Sequence, residues 1–211
     1  MRLARRKSRI PIFAAALFVC ALFPLTAEAH LNSTGMGPVY DGLMHFLMSP
    51  EDLLPALALA LLSGLRGATY GRRILFVVPA AWLFGGLFGL AASASTGSAI
   101  LSAAWFLLLG GLLAADAKLS LHMTTVLAAL FGLYHGYLNG TGLGMTNSSA
   151  TALLGLILSI SVLIALAAAF VVQSKAAWMR IAVRVSGSWV FASGLLLLGW
   201  AVRATHSFKA P

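Results

Sequence analysis

Apolar residues in this chain come in long blocks, and the polar positions between them are few and bunched. Six blocks have the length a helix needs to cross a bilayer: about 50–66, 74–92, 99–115, 120–138, 150–172 and 180–203. The pattern predicts an all-α fold, a polytopic membrane helix bundle of about six transmembrane helices. Glycines recur in pairs and at close spacing within the blocks (Gly85, Gly86, Gly89; Gly110, Gly111; Gly194, Gly199), as they do where membrane helices approach closely. No internal repeat stands out.

A further apolar stretch precedes these six and differs from them. Arg2, Arg5, Arg6, Lys7 and Arg9 precede an apolar run from Ile10 to about Leu25, and Ala27-Glu28-Ala29 follows as a small-residue cleavage site. Residues 1–29 read as a signal peptide, and 30–211 as a single transmembrane domain. Cleavage would leave His30 as the N-terminus, whose amine and imidazole together can chelate a metal ion. The single cysteine, Cys20, falls in the leader, so neither a disulfide framework nor a Cys-x-x-Cys redox site is available.

Composition agrees with the pattern. With 60% hydrophobic and 9% charged residues, and a mean hydropathy of +0.95, a soluble globular domain is excluded. The formal charge of +9 does not point to nucleic acid, because the basic residues cluster in the leader and beside the apolar blocks. If the mature N-terminus faces outward, the inner loops carry Arg66, Arg72, Arg73, Lys118, Lys175, Arg180 and Arg184, against Arg203 and Lys209 outside. The positive-inside rule then agrees with a mature N-terminus on the outer side of the membrane. Its expected partners are the lipid bilayer and a small ligand, with no nucleic acid.

Two polar clusters interrupt the apolar blocks. One runs from Asp41-Gly42-Leu43-Met44-His45 to Ser49-Pro50-Glu51-Asp52; the other is Tyr134-His135-Gly136 with Asn139-Gly140. The chain has five acidic residues and five histidines, and three of the acids and two of the histidines fall here. Ionisable groups beside or inside membrane spans are costly and usually functional. The topology puts both clusters on the same side of the membrane, one opening the first span and one closing the fourth. Imidazole and carboxylate together suit a divalent transition-metal ion. Four residues separate His135 from Asn139, which places them on one helix face.

Plainer readings fit the same residues. Ser49-Pro50-Glu51-Asp52 is also an ordinary helix start, with Ser as N-cap, Pro in the first turn and acids at the positive dipole end. Asn139-Gly140 fits a helix C-cap, His135 a satisfied bundle histidine, and Asp41 a turn before Gly42. Met36, Met44 and Met48 around His45 fit either packing or a soft-metal, copper-handling surface. Asp116 and Lys118 read as a solvated pair in an inner loop. Enzyme motifs such as His-Glu-x-x-His and Gly-x-Ser-x-Gly are absent, which argues against catalysis.

Taken together, the leader, the six blocks and the two clusters resemble the HupE/UreJ family of bacterial nickel/cobalt permeases and hydrogenase or urease accessory membrane proteins. The family's first motif is a histidine, five residues, then Asp-His, with a glycine upstream; here His45, Glu51, Asp52 and Gly42 stand at those places. Its second motif reads Phe-His-Gly, two residues, His-Gly, one residue, Glu. The chain has Tyr134-His135-Gly136, Asn139-Gly140 and Gly142. The resemblance implies uptake or delivery of a divalent ion, nickel or cobalt, held transiently and not as a permanent cofactor. It implies His45, Glu51, Asp52 and His135 as metal ligands, with His30, Asp41, Gly42, Gly136 and Asn139 in support. Asp52, Asn139 and Gly142 replace two histidines and an acid, which makes the donor set harder. A non-transporting accessory subunit is the alternative that these departures leave open.

Overall fold

The computed structural model describes residues 34–92, 97–145, 150–174 and 176–207. The leader expected over 1–29 and His30 lie outside them. The described residues form seven α-helices: α1 Pro38–Met48, α2 Pro50–Arg66, α3 Ala68–Ala91, α4 Ala99–Ala114, α5 Leu121–Met145, α6 Ala150–Gln173 and α7 Ala177–Ser207. There is no strand among them. The fold is an all-α membrane-type bundle.

By length and apolarity, α3, α6 and α7 can each cross a membrane, and α1 with α2 would make a fourth, broken span bent by 73°. The α4 helix is apolar but only 16 residues long. At 25 residues α5 has the length, but His135, Asn139 and its glycines dilute its hydropathy.

Element bounds depart from the apolar blocks where packing extends a helix. Residues 38–48, a pre-helix segment by sequence, are helical because α1 lies against α6. Gly42 faces the Ala152 carbonyl, and Gly155 faces the backbone of Val39 and Leu43. Tertiary contact of this kind stabilises a helix too short to stand alone. The expected end of the fourth span near Leu138 is overturned: α5 continues to Met145, and Asn139-Gly140 is helix interior, not a C-cap. Gly67, at φ 107°, separates α2 from α3, a backbone conformation that side chains rarely adopt.

Close backbone approach through glycine organises the bundle. On α5, Gly132, Gly136 and Gly140 face the α3 backbone at Val78, Trp82 and Gly86. In return, Gly85 and Gly89 on α3 meet the α5 backbone at Leu133 and Tyr137. These four-residue repeats are the small-residue interface that lets membrane helices touch without intervening side chains. In the same way α4 and α7 meet through Gly110 against Phe191 and Gly187 against Ala114. The α2 helix lies among these pairs and touches every other described helix. Its buried face includes Asp52, Ala56, Leu59, Ala60 and Ser63.

The α4 helix ends in a paired cap. The Ala117 N–H donates to the Leu112 carbonyl (2.9 Å) and the Asp116 N–H to the Leu113 carbonyl (3.0 Å). This is a Schellman ending, whose left-handed position normally holds glycine. Here Asp116 occupies it, at φ 51°, the only non-glycine with positive φ among the described residues. The left-handed conformation costs a side-chain-bearing residue on the order of 1 kcal/mol, and Asp is among the few that visit it.

Candidate functional site

The break between α1 and α2 is made by Ser49 and Pro50. Ser49 is extended (φ −98°, ψ 92°) and occupies the cap position, but its hydroxyl donates back to the His45 carbonyl (2.7 Å) and not to the first turn of α2. The side-chain capping expected of Ser49 is therefore absent. Pro50 opens α2 as expected, since a first-turn position needs no N–H. The first turn then carries Glu51 outward and Asp52 inward.

Asp52 is buried, and α5 meets it with two side chains one turn apart. His135 Nδ1 lies 2.7 Å from Asp52 Oδ1, and Asn139 Nδ2 donates to Asp52 Oδ2 at 2.9 Å. The same amide nitrogen donates to the His135 carbonyl at 2.9 Å, so both of its hydrogens are used. All three side chains belong to buried residues. In a neutral His135 ring whose Nδ1 carries the proton of the Asp52 bond, Nε2 is left with a lone pair. Nε2 and Asn139 Oδ1 are both buried without a hydrogen-bond partner among the described residues.

Aromatic rings enclose the imidazole. Phe131 lies 4.5 Å from it between centroids, Tyr134 5.1 Å edge-on, Trp82 5.7 Å and Trp105 6.3 Å. The indole N–H groups of Trp82 and Trp105 are also buried without partners among the described residues. Buried unpaired polar atoms are uncommon, and a group of them next to an oriented imidazole marks a place arranged for something besides packing. A carboxylate bonded to one ring nitrogen is the usual way a protein fixes the tautomer and direction of a metal-ligating histidine.

The other sequence-derived positions fall around this centre. His45 lies half-buried in the last turn of α1, and Glu51 is exposed. Asp41 begins α1 and accepts from the Thr34 N–H (2.5 Å) and hydroxyl (2.7 Å). Gly42 and Gly136 are packing positions, against Ala152 of α6 and Trp82 of α3. Among the described residues, no three of His, Cys, Asp and Glu converge as a metal-holding group. The structure thus joins Asp52, His135 and Asn139 and leaves His45 and Glu51 outside that network. Met36 (66% exposed), Met44 (41%) and Met48 (74%) are at the surface of the described residues.

Two features escaped the sequence. Trp82 and Trp105 complete the enclosure, though nothing in their spacing pairs them with His135. Asp116 is not half of a solvated pair with Lys118: it bonds Arg66 of α2 and Arg180 of α7, and its side chain is 13% exposed.

The family model described as HupE / UreJ protein matches residues 17–197, most of the chain. The chain belongs to the HupE/UreJ family. Comparison with curated proteins and with solved structures gave no match. Family membership and the apolar helices together make this a membrane protein of a permease and accessory family associated with nickel and cobalt. The second family motif falls on α5, where His135 and Asn139 face α2 while Gly136 and Gly140 face α3.

Proposed function

We propose that this HupE/UreJ protein takes up or delivers a divalent transition-metal ion, nickel or cobalt, and that His135 Nε2 is the ligand at its buried centre. The observation that carries this reading is the unpartnered, buried Nε2 opposite an Nδ1–Asp52 bond. Asp52 acts through His135: both its oxygens are engaged by protein donors, so it orients the ring and supplies compensating charge. Asn139 Oδ1, on the residue that shares Asp52, is a second buried acceptor without a partner among the described residues. His45 and Glu51, at the α1–α2 break, would meet the ion before the centre, and His30 would assist capture once the leader is removed.

A broken helix at the binding level is how many transporters expose backbone and side-chain donors inside the membrane. Movement would be facilitated or ion-coupled, since no nucleotide-binding motif is present. The orientation that fits is a periplasmic N-terminus in the bacterial inner membrane.

The test is metal-resolved accumulation in cells lacking other nickel and cobalt uptake. His135→Ala is expected to reduce nickel or cobalt accumulation to the empty-vector level at equal protein abundance, and His45→Ala to reduce it several-fold. Unchanged accumulation in both variants would sink the proposal. One observation favours a second reading, an accessory subunit that keeps the fold without transport: a single imidazole stands in the buried centre, where the family motif has more. Wild-type accumulation equal to the vector control would favour it.

A further inference from the structure

The α2 helix carries a line of residues from the buried centre to its other end. Asp52, Ala56, Leu59, Ser63 and Arg66 follow the spacing that keeps side chains on one helix face. The line covers about 21 Å at the α-helical rise. It begins at the His135–Asp52–Asn139 network and ends at the arginine bonded to Asp116. Two polar atoms along it are buried without partners, Ser63 Oγ and Arg66 Nε, and the Ser63 residue is fully buried. Ser63 lies within α2, and Arg66 is its last residue, with a side chain 11% exposed. Both would be served by water or a passing ligand if this end opened.

What closes that end is a single carboxylate. Asp116 accepts from Arg66 on one oxygen and from Arg180 Nε on the other, at 2.7 Å for the latter. It thereby ties α2 to α7 from the turn that ends α4. Arg184, one turn further along α7, donates to the Ala114 carbonyl at 2.9 Å. The backbone would be better served by glycine at position 116, because the cap needs a left-handed residue there. The aspartate is therefore held for its carboxylate.

We propose that the Arg66–Asp116–Arg180 clasp is a gate, closed in this structure, at the end of the α2 line opposite the His135 centre. Opening separates α7 from α2, hydrates Arg66 and Ser63, and connects the buried centre to that side. The inference does not depend on the identity of the cargo, so it can stand or fall apart from the metal reading.

Cysteine accessibility tests it in the full-length protein in lipid nanodiscs, with Cys20→Ser as background. Ser63→Cys is expected to react slowly with a water-soluble maleimide while Asp116 is intact. Adding Asp116→Asn, which tolerates the same backbone conformation, is expected to raise the rate at least tenfold. Arg180→Gln, which leaves the Arg66 bond in place, should raise it several-fold. The buried Leu156→Cys on α6 serves as the control and should stay protected in both. An unchanged Ser63→Cys rate overturns the gate. So does an equal gain at Leu156→Cys, because that reports a general loosening of the bundle. If labelling rises as stated while nickel and cobalt accumulation is nil, the gate stands and the metal reading falls.

Discussion

Gly85→Ala is expected to prevent the protein from reaching its folded, monodisperse state in detergent, and Gly42→Ala should do the same. A methyl group at Gly85 would enter the Leu133 carbonyl of α5, and one at Gly42 would enter the Ala152 carbonyl of α6. Those neighbours are backbone, so no rotamer change can relieve the overlap; the helices must separate. Overpacking an ordinary core costs about 1–3 kcal/mol, and a backbone-on-backbone clash belongs at or above the top of that range. The matched controls are Gly142→Ala and Gly199→Ala, where an added methyl meets no atom within 4 Å. Size-exclusion profiles and thermal midpoints of the four variants check this. If Gly85→Ala and Gly199→Ala behave alike, the close α3–α5 approach is wrong.

Asp52→Ala is expected to cost the most among side-chain changes at the centre. It removes the acceptor of both His135 Nδ1 and Asn139 Nδ2 and leaves two buried donors unpaired. Each buried donor left unsatisfied costs about 1–3 kcal/mol. Asp52→Asn keeps the shape and one acceptor, so it should fold with a smaller loss. It should nevertheless release the ring from its fixed tautomer and lose metal-dependent stabilisation. Thermal unfolding with and without nickel or cobalt separates the effects. Wild-type protein should gain stability with the ion, whereas Asp52→Asn should fold but gain little. A full gain in Asp52→Asn would remove the orienting role assigned to this carboxylate.

Much of the fold was legible because apolar block length reports helices directly. The two polar clusters also stand out in the sequence, and Asp52 of one meets His135 of the other. Helical periodicity says which residues share a face but not which helix that face will meet. For that reason the His135–Asn139 pairing could be read, while the role of Asp52 as their common acceptor could not. The α1 helix was hidden because Asp41, Gly42 and His45 look like loop residues, and what makes them helical is contact with α6. Asp116 was misread for a similar reason. Its partners are 50 and 64 residues away, and no local pattern announces a left-handed aspartate.

The α5 motif has a consequence for how this sequence can change. His135 and Asn139 aim at α2, while Gly136 and Gly140, each one residue later, aim at α3. Both sets share a single helical register. Inserting one residue between Ala128 and His135 would turn everything beyond it by about 100° relative to what precedes it. The chemistry and the helix seam would then be lost in the same step. A substitution at one of these positions touches one function of the helix, whereas a change in the segment's length touches both.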